Sequence, residues 1–381
     1  MPEVPAKPRR LLLLSVSAGA GHGRAAEALR VTAQTRYGVE ALHLDVMDYV
    51  PAAFRALYTD FYLRLVEKFP ALWAQLYRIT DETPPDAALA RLRRAVERLN
   101  TRRLHEAIAA FAPDAIICTH FLPAELLARA QSRGRLPCPV HVQVTDFDLH
   151  ALWVVPQLAG YFAASDEVAL RMRARGLAAE RIHVTGIPIM PAFAAVADRA
   201  TCAAAAGLDP QRPILLLMGG GAGVGALDQA AAGLLRIPAD FQLVALAGRN
   251  EALLERLNAL AAAHPGRLFP QGFTRTIERL MGCADLAIGK PGGLTTSECL
   301  ALGLPLIVFA PIPGQEERNC DYLLENGAGL KAVDAIALEY RVHLLLQQPQ
   351  RLARLRDNAR ALGRPDAAAA VLRQVLGDPA G

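Results

Sequence analysis

The sequence is poor in lysine and lacks the cysteine patterns that mark metal or redox sites. Lysine occurs only at positions 7, 68, 290 and 331, although lysine and arginine together number 41. Arginine therefore supplies nearly all of the positive charge, and Lys290 stands out because it lies in a glycine-rich motif. The six cysteines form no C-x-x-C pair and have no metal-ligand spacing, so they indicate buried free thiols in a reducing compartment.

Long apolar runs are absent, and so are basic runs interleaved with aromatic residues. No stretch reaches the roughly 18 uninterrupted apolar residues of a membrane-spanning helix. The four leucines after Arg10 form a run too short for a signal peptide and continue into a glycine turn, so they predict a buried strand. The formal charge of +4 does not indicate nucleic-acid binding without a basic run, although a mildly basic face can favour an anionic membrane surface.

What is present predicts an α/β protein of two domains. Hydrophobic residues make up 52% of the 381 residues, which is enough for two large cores. Apolar strand-like segments alternate with helical stretches, a pattern typical of parallel sheets covered by helices. Each half begins with a strand, a glycine turn and a helix, so we predict two Rossmann-like domains facing across a cleft. We place them in residues 1–195 and 196–345, and a closing helical region that can pack back on the first domain in 346–381.

The predicted strands are short and apolar. In the first half they are LLLLSV, ALHLDV, DAIICTH, PVHVQVTDF, GYFAAS and RIHVTGIP, and in the second half they are PILLLM, FQLVALAG, ADLAIG and PLIVFAP.

A glycine turn follows the first strand of each half. One carries glycine at 19, 21 and 23, and the other at 219, 220, 221, 223 and 225. Such a turn lets backbone N–H groups approach an anion at the N-terminus of a helix. Neither turn fits G-x-G-x-x-G or continues as G-K-[ST], which argues against a dehydrogenase or a P-loop protein. The alternative for each is a tight strand-to-helix connection that binds no ligand.

The most specific motif lies at residues 289–329 and reads GKPGGLTTSECLALGLPLIVFAPIPGQEERNCDYLLENGAG. A strand leads into a loop of lysine, proline and glycine, and the following helix begins with hydroxyl side chains that can hold a diphosphate. Glu298 can accept hydrogen bonds from both hydroxyls of a ribose. Gln315, Glu316 and Asn319 can reach sugar hydroxyls or a phosphate. The alternative is that residues 295–298 are merely a well-capped helix start.

With these motifs the chain resembles the monogalactosyldiacylglycerol synthase and processive diacylglycerol glucosyltransferase family, which is related to the GlcNAc transferase of lipid II synthesis. The resemblance runs through most of the chain and rests on SVSAGAGHGRAAEAL, VTDFDLHALWV, VTGIPIMPAF and the KPGGLTTSE…PGQEERN region. It implies a GT-B fold, a UDP-sugar donor, inversion at the anomeric carbon and no essential metal ion or other cofactor.

The resemblance also implies which residues bind the donor. It places the 219–221 turn near the diphosphate, residues 248–250 beside the nucleotide and the backbone of Phe273 at the uracil. Thr295 and Thr296 would hold phosphate, and Glu298 the ribose. Gln315 and Glu316 would face the donor sugar. The donor-binding residues that we predict are Gly219, Gly220, Gly221, Gly248, Arg249, Asn250, Phe273, Lys290, Gly292, Gly293, Thr295, Thr296, Glu298, Gln315, Glu316 and Asn319.

An inverting transfer needs a base that takes the proton of the acceptor hydroxyl. His22, in the first glycine turn, is the leading candidate, and the matching histidine of the family is implicated in catalysis. Asp146, at the end of a predicted strand, is the second candidate, or a partner that orients His22. Helix N-termini and Arg249 would meet the charge of the departing UDP. The alternative for His22 is that it only caps or orients its loop.

The acceptor side is predicted from an aromatic segment at 54–77. Its seven aromatic residues at approximately helical spacing suit a membrane interface or an acyl-chain groove, and six arginines between 91 and 103 can meet lipid phosphates. The alternative is a core-facing helix followed by a solvated basic helix. His120 is a further candidate at the edge of the cleft, although a structural role is the more natural reading. For His150 and Trp153 the alternative is ordinary packing. The acceptor or membrane residues that we predict are Gly21, Phe61, Tyr62, Trp73, His150 and Trp153.

We therefore expect an inverting enzyme that moves a hexose from UDP-glucose or UDP-galactose to a diacylglycerol-like lipid. We expect it in the cytoplasm, peripherally bound to the inner face of the cell membrane. One alternative is a UDP-GlcNAc-type or small-molecule glycosyltransferase of the same fold. Another is a nucleotide-sugar-binding protein without transfer activity, against which the intact His22 and Asp146 argue.

Overall fold

The chain divides into two compact units in the computed structural model. The structure describes residues 10–17, 19–51, 55, 72, 75, 78–79, 81, 102–219 and 227–378. The first unit comprises Met1–Pro191, Pro313–Gln315 and Asp366–Gly381, and the second comprises Ala192–Ile312 and Glu316–Pro365. The chain therefore passes from the first unit to the second near residue 191, contributes residues 313–315 to the first unit, and returns to the first unit at residue 366.

The first unit is built on a parallel sheet of six strands in the order β2-β1-β3-β4-β5-β6. Four leucines of the central strand are fully buried, because helices cover both faces of such a sheet and leave no polar face. All six strands predicted in the first half are confirmed. They are β1 Arg10–Ser15, β2 Glu40–Asp45, β3 Ala115–Cys118, β4 Val140–Gln143, β5 Gly160–Ala163 and β6 Ile182–Val184.

The second unit has a parallel sheet of six strands in the order β12-β11-β10-β7-β8-β9. Its strands are β7 Ile214–Met218, β8 Gln242–Gly248, β9 Leu268–Gly272, β10 Leu286–Gly289, β11 Leu306–Phe309 and β12 Gly329–Ala332. The four predicted strands are confirmed, whereas β9 and β12 were missed. Both missed strands have few apolar residues: β9 reads LFPQG and β12 reads GLKA, so neither shows the apolar pattern that identified the others.

Helices connect the strands. Side-chain caps fix several of their starts: Ser165 accepts from the N–H of Val168, and Asp334 accepts from that of Ala337. The α-helices of the described residues are α1 Ala20–Tyr37, α2 Arg102–Phe111, α3 Phe121–Ser132, α4 Asp166–Ala174, α5 Arg199–Ala205, α6 Leu227–Leu235, α7 Glu251–Ala262, α8 Ile277–Cys283, α9 Gly293–Ala301, α10 Gln315–Glu325, α11 Ala335–Gln347, α12 Pro349–Leu362 and α13 Ala367–Leu376.

The closing helix α13 packs on α1 inside the first unit. Val371 lies in the same buried apolar cluster as residues of β1 and α1. The Tyr37 hydroxyl donates to the carbonyl of Ala369 at 3.1 Å, and Arg36 pairs with Asp366 at 3.1 Å. The apolar burial supplies most of the stabilisation, since an exposed ion pair contributes little.

The cysteines and the apolar segments agree with the sequence. All six cysteines are buried free thiols, as predicted. Within the described ranges, every helix is too short or too polar to cross a bilayer.

Candidate active site

The predicted base lies where the strand order of the first sheet reverses. β2 lies on one side of β1 and β3 on the other, so the loops after β1 and β3 diverge at the carboxyl edge of the sheet. His22 lies in the first turn of α1, which follows β1, and Gly21 precedes it directly. Gly19 enters this turn with a φ of 95°, which an L side chain rarely adopts.

Two hydrogen-bond partners fix the ring of His22. Its Nδ1 lies 2.9 Å from the carbonyl oxygen of Thr119, directly after β3, and 2.9 Å from Oγ1 of Thr145, after β4. A carbonyl oxygen can only accept, so we assign the hydrogen of the neutral ring to Nδ1. Nε2 then carries the lone pair, which is the state that a general base requires.

The surroundings keep His22 neutral. Burial lowers its pKa below the ordinary value, because the charged ring loses hydration there. The negative charge of Asp146 and the hydrogen bond to Thr119 act in the opposite direction and raise the pKa. The ring is therefore unprotonated near neutral pH and can accept a proton.

Aromatic rings surround His22 inside the first unit. The ring of His120 contacts it edge-on with centroids 4.6 Å apart, and the buried Trp153 lies at 6.2 Å. Phe121 completes the cluster at 4.1 Å from His120 and 5.8 Å from Trp153. Sequence reasoning did not single out Phe121. Its position next to His120 at the carboxyl edge of β3 was the available signal.

The other two histidines near this edge have capping roles. Nδ1 of His120 accepts from the N–H of Leu122 at the start of α3, and Nδ1 of His150 accepts from that of Leu152. Burial holds the pKa of His120 well below its usual range. The carboxylate of Asp81 accepts from the N–H of Ala151 at 3.0 Å and thereby anchors the 3₁₀ turn Ala151–Trp153.

Asp146 is buried and lies next to a residue of the predicted donor set. Nε2 of Gln315 lies 2.8 Å from each carboxylate oxygen of Asp146 and donates to this group. Both residues belong to the first unit. The negative charge of Asp146 raises the pKa of His22, so its role as a base or as an orienting partner stays a prediction. The three predicted acceptor residues Phe61, Tyr62 and Trp73 lie outside the described residues.

The second sheet also reverses its strand order, between β7 and β10. Gly219 follows β7, and the loop of residues 290–293 follows β10 at the same edge. Gly220 and Gly221 lie outside the described residues. α9 begins at Gly293, and its N-cap Gly292 supplies no side-chain hydrogen bond, so the first N–H groups of α9 are left for another acceptor.

Three polar residues are buried in the first turns of α9. Thr296 is fully buried, and its Oγ1 has no hydrogen-bond partner among the described residues. Ser297 Oγ donates to the carbonyl of Gly293 at 2.8 Å, which satisfies that hydroxyl within the helix. Glu298 is 8% exposed, and Thr295 is partly exposed at the start of the helix. An unsatisfied hydroxyl at a helix start without a side-chain cap is an arrangement that suits an anion.

The loop before α10 is fixed from within the second unit. Oε2 of Glu316 accepts from the N–H of Ile312 at 2.6 Å. Its Oε1 lies 4.0 Å from the position that a Cβ on Gly292 would take, so Glu316 borders the α9 loop. Asn319, one turn later, is fully buried. Lys290 is partly exposed before the loop.

A second group lies after β8 and β9 at the same edge. The guanidinium of Arg249 lies 4.5 Å from the ring centroid of Phe273, which is 53% exposed. Gly248 ends β8 with a φ of 60°, and Asn250 caps α7 by accepting from the N–H of Leu253 at 3.0 Å. This cation–π contact holds the two side chains together at the edge of the sheet.

Comparisons with known proteins match both halves of the chain. The family model described as monogalactosyldiacylglycerol (MGDG) synthase matches residues 22–189, and the glycosyltransferase family 28 C-terminal domain matches residues 214–371. The processive diacylglycerol beta-glucosyltransferase of Bacillus pumilus is 30% identical over 279 residues, 73% of this chain and 72% of that protein. The protein of the same name from Bacillus cereus (strain AH187) is 28% identical over 97% of this chain and 94% of its own.

Solved structures resemble the whole chain at low identity. MurG of Acinetobacter baumannii has a TM-score of 0.60 and 16% identity over 97% of this chain and 99% of its own. The S. aureus MnaA-UDP structure has a TM-score of 0.64 and 12% identity over 96% of each chain. At such identities the likeness shows the fold alone. With the two family models and the Bacillus relatives, it identifies the chain as a GT-B glycosyltransferase that belongs to the monogalactosyldiacylglycerol synthase and processive diacylglycerol glucosyltransferase family.

Proposed function

We propose that the chain transfers a hexose from UDP-glucose or UDP-galactose to a diacylglycerol-like lipid, with inversion at the anomeric carbon. The observation that carries the proposal is the ring of His22, whose Nδ1 lies 2.9 Å from a carbonyl oxygen so that Nε2 is left as the base. A protein that only binds nucleotide sugars needs no such group.

The transfer is a single displacement. Nε2 of His22 takes the proton of the acceptor hydroxyl, and the acceptor oxygen attacks C1 of the sugar on the face opposite to UDP. The C1–O bond to UDP breaks as the new bond forms, which inverts the configuration. UDP leaves with both electrons of that bond, and the imidazolium of His22 later releases its proton to water.

The negative charge of the departing UDP needs positive dipoles. In this proposal the N–H groups at the start of α9 and the hydroxyl of Thr296 hold the diphosphate, and Glu298 holds the ribose. Arg249 and Phe273 hold the uridine. The residues of the second unit do this without a metal ion.

The acceptor is proposed from the Bacillus relatives, which are named for action on diacylglycerol. A lipid acceptor requires the enzyme to work at a membrane surface, so we propose peripheral association with the inner face of the cell membrane. Sedimentation with vesicles tests this step: the protein should pellet with vesicles that contain phosphatidylglycerol and less with pure phosphatidylcholine. Equal recovery in the supernatant with both would contradict it.

Transfer of GlcNAc remains the second candidate, since the fold is shared with MurG. The decisive experiment incubates the protein with radiolabelled UDP-glucose, UDP-galactose or UDP-GlcNAc and vesicles that contain diacylglycerol. Label from a hexose donor in the organic phase supports the proposal, and nuclear magnetic resonance of the product should show a β linkage. Label only from UDP-GlcNAc would favour the second candidate. UDP-sugar binding without transfer to any acceptor would contradict an enzymatic function.

His22→Asn provides the matched test of the base. Asparagine keeps a hydrogen-bonding group near the position of Nδ1 but cannot take a proton at neutral pH. We expect turnover to fall by about 100-fold or more, in the range of general-base catalysis, with little change in the Kd of UDP. Turnover close to that of the wild type would refute His22 as the base.

A further inference from the structure

The Nδ1 atom of His22 has one partner that cannot be mutated and one that can. The first is the peptide carbonyl of Thr119, and the second is the side-chain hydroxyl of Thr145, each at 2.9 Å. The carbonyl fixes the tautomer, because it can only accept. The hydroxyl adds a second acceptor on the same N–H. We propose that Thr145 is a positioning residue, which holds the ring of His22 and stabilises its protonated form during transfer.

The two threonines have separate tasks. Oγ1 of Thr119 lies 2.9 Å from the backbone carbonyl of His22 and 3.4 Å from that of Leu14, so its side chain holds the turn between β1 and α1. Thr145 is 3% exposed, and its hydroxyl is directed at the imidazole. Removing the hydroxyl of Thr145 therefore removes one contact of the His22 ring, while Thr119 still holds the turn between β1 and α1.

The chemistry follows from the proposed function, on which this inference rests. When Nε2 takes the proton of the acceptor hydroxyl, the ring becomes an imidazolium while Nδ1 keeps its hydrogen. The bonds from Nδ1 to the carbonyl and to the hydroxyl then become charge-assisted, and such bonds are roughly twice as strong as neutral ones. Thr145 thus stabilises the state that forms during transfer more than the resting state, which is the requirement for a contribution to turnover.

Other groups facing the ring set the background for this contact. Asp146 raises the pKa of His22 through its charge, while His120 lies edge-on to the ring with its centroid 4.6 Å away. Thr145 acts on the ring through its contact with Nδ1. A change at Thr145 should therefore appear as a change in the titration of His22.

The test compares Thr145→Val, which removes the hydroxyl at nearly constant shape, with Thr145→Ser, which keeps it. For Thr145→Val we expect turnover to fall by about tenfold, the effect of one lost hydrogen bond to a charged group, with the Kd of UDP within about twofold of the wild type. The acid limb of the pH profile should move to lower pH by about one pH unit, because the imidazolium has lost an acceptor. Thr145→Ser should restore both values.

A second measurement does not depend on turnover. Nitrogen-15 nuclear magnetic resonance of histidine-labelled protein gives the tautomer and the titration of His22, whose signal is identified by its loss in His22→Asn. We expect a neutral ring protonated at Nδ1, and a titration that falls by about one pH unit in Thr145→Val and returns in Thr145→Ser. This arm keeps the inference testable if the acceptor differs from the one proposed.

The outcomes separate this inference from the proposed function. If Thr145→Val matches the wild type in turnover and in the titration of His22, Thr145 has no positioning role. If Thr145→Ser is as impaired as Thr145→Val, the methyl packing matters rather than the hydroxyl, and the inference is wrong. Full activity of His22→Asn would instead overturn the proposed base and leave the assigned tautomer of His22 unaffected.

Discussion

Replacing Thr296 with valine should stabilise the ligand-free protein and weaken UDP binding at the same time. Thr296 is fully buried in the first turn of α9, and its Oγ1 has no hydrogen-bond partner among the described residues. A buried hydroxyl without a partner costs about 1–3 kcal/mol, and valine has nearly the same shape without this cost. We expect the free energy of unfolding to rise by about 1 kcal/mol. For a unit of this size the melting temperature should then rise by about 2–4 °C.

The same substitution removes a group proposed to hold phosphate. A hydrogen bond to a charged group contributes about 1.5–3 kcal/mol, so the Kd of UDP should rise by roughly 10- to 100-fold. Scanning calorimetry of the ligand-free protein measures the first effect, and titration calorimetry with UDP measures the second. An ordinary packing defect would lower both stability and affinity, so the opposite signs identify a binding hydroxyl.

Thr32→Val is the matched control. Thr32 is also a buried threonine in a helix, but its Oγ1 donates to the carbonyl of Ala28 at 2.7 Å. Loss of a satisfied hydroxyl should not raise the melting temperature, and the Kd of UDP should stay unchanged. If Thr296→Val melts below the wild type and binds UDP normally, the reasoning about the α9 anion site is refuted.

Three further predictions concern pH, stability and metal. Burial lowers the pKa of His141 from 6.5 to about 4, so the unfolded chain binds the extra proton between these values. The free energy of unfolding should therefore fall by up to about 3 kcal/mol as the pH drops through this window. In His141→Leu, urea titrations at several pH values should show a smaller change of this free energy with pH. Asp285 pairs with Arg199 at 2.8 Å and with Arg356 at 2.9 Å. In denaturant unfolding, Asp285→Asn should lose about 2 kcal/mol, the contribution of a hydrogen bond to a charged group. Asp357→Asn, at a side chain that is 74% exposed, should change nothing measurable. Chelation with EDTA should leave transfer from the UDP-sugar unchanged; activity that disappears and returns with a divalent ion would contradict a transfer without metal.

The fold could be predicted because the strands of a parallel sheet have a simple pattern in the sequence. Strands covered on both faces are continuous apolar runs, and ten of these runs were read directly. The strand β9 contains proline and glutamine and β12 contains glycine and lysine, whereas the edge strands β2 and β6 keep apolar residues at alternate positions. The pattern of β9 and β12 resembles that of the loops around them, so a local reading could not find them.

For a related reason, the sequence predicted the residues of the candidate site that lie in local motifs but not their partners elsewhere in the chain. The glycine turns and the motif at 289–329 are each a short continuous segment, so His22 and Thr296 could be named from the sequence alone. The partners of His22 cannot be found in this way, since Thr119 lies 97 residues and Thr145 lies 123 residues further along the chain. The order of the strands in the sheet places both threonines next to the imidazole of His22. Phe121 was missed because its one signal was its position next to His120 after β3, and the residue type alone does not indicate a site.

The two sheets place different backbone groups at equivalent positions, and this difference suits the two halves of the proposed reaction. At the first reversal of strand order a carbonyl oxygen, that of Thr119, meets His22. A carbonyl holds a neutral imidazole with its lone pair on Nε2, and it cannot bind an anion. At the second reversal an uncapped helix start presents N–H groups and the hydroxyl of Thr296, which bind anions. His22 also lies at a helix start, so the dipole of α1 disfavours the protonated ring, while the charge of Asp146 and the carbonyl of Thr119 raise its pKa. The carbonyl of Thr119 and the charge of Asp146 thus support the proposed base in the first sheet, whereas the N–H groups of α9 suit the leaving group in the second.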